Sequence, residues 1–243
     1  MSSWCCRYPD DLVRMARRAN FRAVEWDLNY IPFPLSQARC RHLQDTFTRS
    51  KVYLRYHLPY STCDVGSSIE SVRERSLAYL QLNIELLARL NAGYGVLHFC
   101  QEDIKGPPPL SELCELVQVA QDWGITIGLE NLMAGPTSDP ATLEQIALDC
   151  GAEVALDVGH ALSTGTFAEY LDNLGPLVSH VHFYGSEDEH KNHLPFSCSD
   201  EAVSVAQTIQ SHCDALWWTC ELDSLQLGVR TRDDVIAGSE QIE

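Results

Sequence analysis

Positive charges are scarce in this sequence. It has 17 lysine and arginine residues against 34 aspartate and glutamate residues, which gives a formal net charge of −17 at pH 7. Proteins that bind phosphate backbones or anionic membranes draw much of their affinity from lysine and arginine. We therefore expect neither nucleic acid nor a membrane as a partner, and we expect a small-molecule substrate.

Long apolar runs and paired cysteine motifs are also lacking. No segment reaches the ~20 apolar residues of a membrane span, and the start of the chain lacks the apolar stretch of a signal peptide. The ten cysteines are scattered and include no C-x-x-C pair, which argues against a thiolate zinc knuckle and a disulfide framework. These features predict a cytoplasmic protein with reduced cysteines.

Short apolar segments alternate eight times with amphipathic ones. The predicted strands are Ser3–Cys6, Ala23–Trp26, Val52–Tyr56, Gly95–Leu97, Thr126–Leu129, Val154–Leu156, Leu177–Val181 and Ala215–Cys220. The predicted helices are Asp10–Ala19, one within Pro34–Ser50, Ser68–Leu90, Leu110–Trp123, Pro140–Cys150, Thr166–Leu174, Asp200–His212 and Thr231–Ile242. Without any low-complexity linker, this order predicts an α/β fold, a (β/α)8 TIM barrel, as a single domain over residues 1–243.

Six predicted strands end in residue types that bind divalent metals. Strands three to eight lead, in order, to His57, His98, Glu130, Asp157, His182 and Glu221. In a TIM barrel the carboxyl ends of the strands surround one cavity, so these residues are expected to face each other. His160 and His193 follow strands six and seven on loops of the same face. Imidazole and carboxylate ligands suit zinc or manganese, so the sequence predicts a metal site.

Each of these residues has an ordinary structural explanation when it is taken alone. His98 could be a solvated side chain, and Glu130 could cap the segment that follows it. Asp157 could accept backbone N–H groups in a tight turn, and Glu221 could pair with Arg230. Six successive strand ends with ligand types favour the metal site over these separate explanations.

Six short motifs lie around the ligand positions. They are His57-Leu58-Pro59-Tyr60, Val96-Leu97-His98, Gly128-Leu129-Glu130-Asn131, Ala155-Leu156-Asp157-Val158-Gly159-His160, His180-Val181-His182 and His193-Leu194-Pro195. As a set they resemble the xylose isomerase-like TIM-barrel superfamily, also called AP endonuclease family 2. The resemblance implies a metal-dependent enzyme of one of two branches.

The sugar isomerases and epimerases of that superfamily use one metal ion. The resemblance implies that its ligands here are Glu130, Asp157, His182 and Glu221. Glu130 and Glu221 would exchange a proton with the carbon next to a carbonyl. This mechanism does not need His57 or His98.

The endonuclease IV-like branch also has a histidine on strands three and four. The resemblance implies two sites that share a bridging glutamate, formed by His57, His98 and Glu130 and by Glu130, Asp157, His182 and Glu221. Two ions about 3.5–4 Å apart activate a water that attacks a phosphodiester.

A third metal site of that branch would use His160, His193 and an aspartate two residues before His193. That position is Lys191 here, and a charged ammonium group cannot be a ligand. The third site is therefore expected to be absent, incomplete or rebuilt by Asp188 or His190. Lys191 is predicted to contact a substrate phosphate instead.

The preferred hypothesis is a hydrolase of a small-molecule phosphodiester or phosphate ester, with two zinc or manganese ions and a metal-bridged water as the nucleophile. The ligand set permits the cobamide-remodelling phosphodiesterase type of the superfamily. The alternatives are a one-metal sugar or sugar-phosphate isomerase or epimerase and a noncatalytic metal-binding barrel. The predicted catalytic residues are Glu130, Glu221 and His160, and the predicted substrate-binding residues are Tyr60, Asn131 and Lys191.

Overall fold

The main sheet consists of seven parallel strands. The computed structural model describes residues 1, 8–30, 35–102, 104, 106–215 and 217–239. Within these residues the strands follow the chain in spatial order: β1 (Ala23–Asp27), β2 (Tyr53–His57), β3 (Tyr94–Leu97), β4 (Thr126–Glu130), β5 (Glu153–Asp157), β6 (Val178–Phe183) and β9 (Trp217–Cys220). They form a near-closed barrel, which confirms the predicted TIM-barrel class. The first predicted strand, Ser3–Cys6, lies outside the described residues.

Helices connect the strands, because parallel neighbours need a crossover between them. They are α1 (Pro9–Arg18), α2 (Gln37–Ser50), α3 (Glu70–Arg89), α4 (Ser111–Asp122), α5 (Pro140–Cys150), α6 (Val158–Thr164), α7 (Phe167–Leu174), α8 (Ser199–His212) and α9 (Leu225–Ser239). In the part of the chain that the structure describes, none of them has the length and apolar character that a membrane span requires.

Two elements at the carboxyl ends of the strands were not predicted. α6 begins directly after β5, because the Asp157 side chain caps its first turn. It ends at Gly165, which has a φ of 73°. A hairpin of β7 (Ser186–Glu187) and β8 (His193–Leu194) replaces the predicted acidic loop. α9 also begins at Leu225 rather than at Thr231.

The strands are mostly buried, above all towards their carboxyl ends, so the helices have to present apolar stripes to them. α3 does so through Leu80, Ile84 and Leu87, which share one face of the helix and are at most 1% exposed. Burying one such side chain contributes about 1.5–3 kcal/mol to stability. This packing holds the strands, and therefore the residues at their carboxyl ends, in fixed positions.

A disulfide joins Cys114 in α4 to Cys150 at the end of α5, which corrects the expectation that all cysteines are reduced. The two residues are 36 positions apart in the sequence, but their Cα atoms are 4.5 Å apart. Packing of neighbouring helices brings them together, and cysteine spacing alone does not signal it. The other described cysteines are free, and among them Cys198 alone is exposed.

Candidate metal centre

All six predicted ligands lie at the carboxyl ends of the parallel strands. They end β2 (His57), β4 (Glu130) and β5 (Asp157), lie within β6 (His182), or directly follow β3 (His98) and β9 (Glu221). Because the strands are parallel, these ends share one face of the barrel. Five of the six residues are buried, and His98 is half-buried. The structure therefore brings the predicted set together.

Glu130 lies at the centre of this cluster. Its Oε2 atom is 3.1 Å from Nε2 of His57 and 3.1 Å from Nε2 of His98. The same oxygen is 3.6 Å from Nδ1 of His182. One buried carboxylate thus faces three imidazoles, an arrangement that suits a ligand shared by two ions.

Carboxylates surround the Nδ1 atom of His182. This atom lies 2.9 Å from Oε2 of Glu221 and 3.8 Å from Oδ2 of Asp157. Asp157 also caps α6, but through Oδ1, which accepts the His160 N–H at 2.7 Å. Among the described residues, neither His182 Nδ1 nor Asp157 Oδ2 has a hydrogen-bond partner, although both are buried. Such buried atoms are rare, and a divalent cation with nitrogen and oxygen ligands would satisfy both.

The charges in the cluster shift its ionisation. Burial lowers the pKa of His57, but the hydrogen bond and charge of Glu130 outweigh burial and raise it to about 9. Burial raises the pKa of Glu130, but the charges of His98 and His182 hold it well below its ordinary value. Without metal, the imidazoles are thus the counter-charges of buried carboxylates. Bound cations can replace the protonated imidazoles as counter-charges of these carboxylates.

Glu187, in β7, lies between the two remaining histidines. Its Oε1 atom is 3.2 Å from Nε2 of His160 and 3.3 Å from Nε2 of His193. Backbone carbonyls hold the other ring nitrogens, since Nδ1 of His160 donates to Asn131 O and Nδ1 of His193 donates to Glu221 O, both at 2.8 Å. These contacts orient both rings, so that each Nε2 faces Glu187.

This group of three is also electrostatically paired. Burial raises the pKa of Glu187, but hydrogen bonds with His160 and His193 outweigh it and lower the pKa to about 2. Burial lowers the pKa of His160, but the charge of Asp157 and the hydrogen bond with Glu187 raise it to about 10. His160 is therefore protonated at neutral pH in the metal-free protein.

Asp188 and His190, the residues that could rebuild the third metal site, lie in the turn between β7 and β8. The Asp188 carboxylate closes the hairpin turn, where Oδ1 accepts the N–H groups of His190 at 2.8 Å and Asn192 at 2.9 Å. The His190 side chain is exposed. The acidic residue that contacts the two histidines is Glu187, which sequence reasoning missed because the hairpin was not predicted.

A cavity of about 240 Å³ adjoins the cluster, and its lining includes Tyr60 and Lys191. The Tyr60 ring stacks on His98, with ring centroids 4.2 Å apart. Lys191 lies in the hairpin turn at a φ of 61°. Among the described lining residues, Lys191 is the one lysine or arginine. The cavity is therefore small, and carboxylates, histidines and one lysine line it together.

Residues 13–232 match the family model described as xylose isomerase-like TIM barrel. The chain belongs to this family. An uncharacterized protein of Methanocaldococcus jannaschii is 30% identical over 180 residues, which are 64% of this chain and 60% of that protein. The match thus spans less than two thirds of the length of that relative.

Solved structures of this xylose isomerase-like fold have names of different activities. A D-tagatose 3-epimerase-like protein has 24% identity and a TM-score of 0.78, over 100% of this chain and 97% of that chain. Endonuclease IV from Thermus thermophilus has 17% identity and a TM-score of 0.71, over 99% of this chain and 97% of that chain. At these identities the likeness shows the fold alone.

Asn131, which the sequence predicts to bind the substrate, directly follows β4 in this xylose isomerase-like barrel. Its side chain is fully buried, where Nδ2 donates to the carbonyl of Asp157 at 2.9 Å and Oδ1 accepts the Asp157 N–H at 2.6 Å. Asn131 therefore joins the end of β4 to the end of β5 and holds the Asp157 backbone in place.

Two acidic residues of β1 escaped the sequence prediction. Asp27 pairs in register with His57 and lines the cavity, but the predicted strand stopped at Trp26. Glu25 is buried and accepts the Nε2–H of His182 at 3.0 Å. An acidic residue is costly to bury without a partner. The position of Glu25 inside an apolar predicted strand was therefore the signal that could have indicated a buried partner.

Two larger cavities, of about 580 and 690 Å³, lie at the amino ends of the strands. Both are lined by Arg55, whose guanidinium carbon lies 4.1 Å from the ring centroid of Tyr94 and 4.5 Å from that of Trp217. Catalytic residues of TIM barrels lie at the opposite, carboxyl end of the strands. We therefore assign the chemistry to the smaller cavity.

Proposed function

We propose that this chain is a divalent-metal-dependent hydrolase of a phosphodiester or phosphate ester in a small molecule. The observation that carries the proposal is the pair of 3.1 Å contacts from His57 Nε2 and His98 Nε2 to one oxygen of Glu130. A one-ion reaction does not require these two histidines. A two-ion site does require ligands on both sides of a shared carboxylate.

The proposed ligands form two sets that share Glu130. One zinc or manganese ion would be held by His57, His98 and Glu130, and the other by Asp157, His182 and Glu221. Glu130 would join the second set as well, since its Oε2 lies 3.6 Å from Nδ1 of His182. When bound, two such ions lower the pKa of water and neutralise charge on a leaving oxygen. Water is then the proposed nucleophile, so no side chain has to attack the substrate.

The residues around the ligands would bind the substrate and move a proton. The Lys191 ammonium group would attract the phosphate, since it is the one positive charge from a lysine or arginine among the described lining residues. His160, whose Nε2 lies 3.2 Å from Oε1 of Glu187 at the cavity, would donate its Nε2 proton to the leaving oxygen as a general acid. The Tyr60 hydroxyl would orient the substrate from its place beside His98.

The size and charge of the site support a small substrate. The cavity volume of about 240 Å³ is below the ~300–1,000 Å³ of drug-sized ligand pockets. The net charge of −17 also opposes approach of a duplex phosphate backbone. We therefore propose a compact phosphate ester rather than a nucleic acid.

A second candidate is a sugar or sugar-phosphate isomerase or epimerase with one ion. It is favoured by the set of Asp157, His182 and Glu221, whose ligand atoms lie within 4.8 Å of one another, and by the fold shared with a D-tagatose 3-epimerase-like protein. Glu130 and Glu221 would then be the acid–base pair. This candidate gives no role to His57 and His98.

Metal counting and an activity screen distinguish the two candidates. Protein loaded with zinc or manganese is tested on bis(p-nitrophenyl) phosphate, small phosphodiesters, ketoses and ketose phosphates. We expect two bound ions and hydrolysis of a phosphate ester. The variant His98→Ala should lose one ion and reduce hydrolysis by roughly 100-fold or more, because one ligand set is broken.

His190→Ala is the matched control, because the side chain of His190 is exposed on the hairpin. It should keep both ions and full activity. One bound ion, with ketose interconversion that survives His98→Ala, would reject the hydrolase and support the isomerase. Full metal occupancy with no activity on either substrate class would favour a metal-binding barrel.

A further inference from the structure

A buried hydrogen-bond network lies on the side of His182 away from the proposed ion. At its centre is Glu25, which is 2% exposed. Its Oε1 accepts the His182 Nε2–H at 3.0 Å, while its Oε2 lies 2.7 Å from Nε2 of His180 and accepts the Thr219 hydroxyl at 3.1 Å. Both carboxylate oxygens are therefore engaged, and the carboxylate is held in one orientation.

This network determines which nitrogen of His182 is available to a metal. A neutral imidazole has one N–H and one lone pair, and the hydrogen bond to one nitrogen selects the other as the ligand. Glu25 takes the Nε2–H, which leaves the lone pair on Nδ1. That atom is the one that faces Glu221 at 2.9 Å and Asp157 at 3.8 Å and has no hydrogen-bond partner among the described residues.

We propose that Glu25 is a positioning residue that holds His182 as its Nε2–H tautomer and thereby sets the metal affinity of the site with Asp157 and Glu221. The inference rests on the metal site of the proposed function but not on the reaction catalysed there. His180 and Thr219 in turn hold the Glu25 carboxylate. In this way β1, which carries no proposed metal ligand, orients the imidazole of His182 in β6.

A second ion among Glu25, His180 and His182 is a competing explanation, since their ligand atoms lie within 4.8 Å of one another. It is less favourable, because an ion there would compete with the Nε2–H hydrogen bonds and take a ring nitrogen of His182. Carboxylates that hydrogen-bond a metal-ligating histidine are common in metal sites. The network therefore fits residues that orient His182 better than it fits the ligands of a second ion.

The first test is metal affinity in the variant Glu25→Gln, which keeps the size of the side chain and removes its charge. Competition with a chromophoric chelator measures the dissociation constant for Zn²⁺. We expect the affinity of the site with Asp157, His182 and Glu221 to fall ~10- to 100-fold. Glu153→Gln makes the same change at the amino end of β5 and should leave the affinity unchanged. Equal affinities in wild type and Glu25→Gln would overturn the proposal.

The second test reads the tautomer directly and needs no variant. In the zinc-loaded wild type, ¹⁵N shifts and couplings of His182 should show a proton on Nε2 and zinc on Nδ1. Zinc on Nε2, or an extra ion that Glu25→Gln removes, would overturn the proposal.

Glu25→Asp keeps the charge on a shorter side chain and should bind zinc with an affinity between those of the wild type and Glu25→Gln. An affinity no better than that of Glu25→Gln would count against the proposal.

These outcomes are distinguishable from a failure of the proposed function. If no phosphate ester is hydrolysed, the zinc affinity of Glu25→Gln and the tautomer of His182 still test whether Glu25 positions His182. If hydrolysis is found but Glu25→Gln binds zinc normally, the hydrolase stands and the positioning proposal is rejected.

Discussion

Tyr184 stacks on His193 with ring centroids 4.0 Å apart and ring planes 8° apart. Its ring also packs against Gly159 in α6, where an added Cβ would overlap the aromatic carbons. A glycine at position 159 thus lets the tyrosine ring reach the histidine. At the scale of single residues, the site depends on such close packing as well as on its charged groups.

Gly159→Ala should lower the free energy of unfolding by about 1–3 kcal/mol, because overpacking of a buried ring outweighs the gain in helix propensity. Chemical denaturation of the metal-free protein measures the effect. Gly93→Ala is the control, since no atom lies within 4 Å of its added Cβ. Equal stability of the two variants would show that the Tyr184 ring moves aside freely.

The β7–β8 hairpin brings three residues of different charge to the cavity. Glu187 lies in β7, Lys191 in the turn, and His193 opposite Glu187 in β8. Its short strands are supported by the Asp188 side chain, which accepts the N–H groups of His190 and Asn192. The pairing of the two strands and the turn hydrogen bonds thus hold these three groups in one register.

Asp188→Ala should loosen this hairpin without removing a proposed ligand. We expect faster amide hydrogen exchange over residues 186–194, with both ions still bound and severalfold slower hydrolysis, because the turn loses its side-chain hydrogen bonds. Glu189→Ala removes a neighbouring exposed carboxylate and should match the wild type. Unchanged exchange in Asp188→Ala would mean that the backbone alone holds the hairpin.

Across the whole molecule, the negative charge is concentrated as well as abundant. Of the 34 acidic residues, Glu25, Asp27, Glu130, Asp157 and Glu221 are buried together in the barrel. Protonated histidines balance this charge in the metal-free protein, since the pKa of His57 and that of His193 are each about 9. Cations that bind there must therefore displace protons.

Metal affinity should accordingly rise with pH. A histidine with a raised pKa keeps its proton below that pKa, so from about pH 6 to about pH 9 each displaced proton should strengthen binding about tenfold per pH unit. Chelator competition at constant ionic strength measures the slope, and circular dichroism in the same buffers verifies that the protein stays folded. A flat profile would show that the histidines are already neutral.

Much of the architecture follows from local patterns that survive in a linear sequence. Alternating apolar segments identified seven strands and the helices between them to within a few residues, because burial periodicity is a property of neighbouring residues. The same pattern located Glu130, Asp157 and Glu221 at strand ends. α6 was missed because Asp157 was interpreted as a metal ligand or as an acceptor in a tight turn, and not as the N-cap of a helix.

Which of these groups meet, and through which atoms, depends on contacts between segments that are distant in the chain. The contacts of Glu25 with His182, and of Glu187 with both His160 and His193, join residues whose proximity no spacing encodes. Local sequence patterns were enough to predict the barrel and the ligand types at the ends of its strands. Which oxygen faces which nitrogen depends on strand register, the hairpin turn and side-chain packing, and these are set by contacts between distant segments.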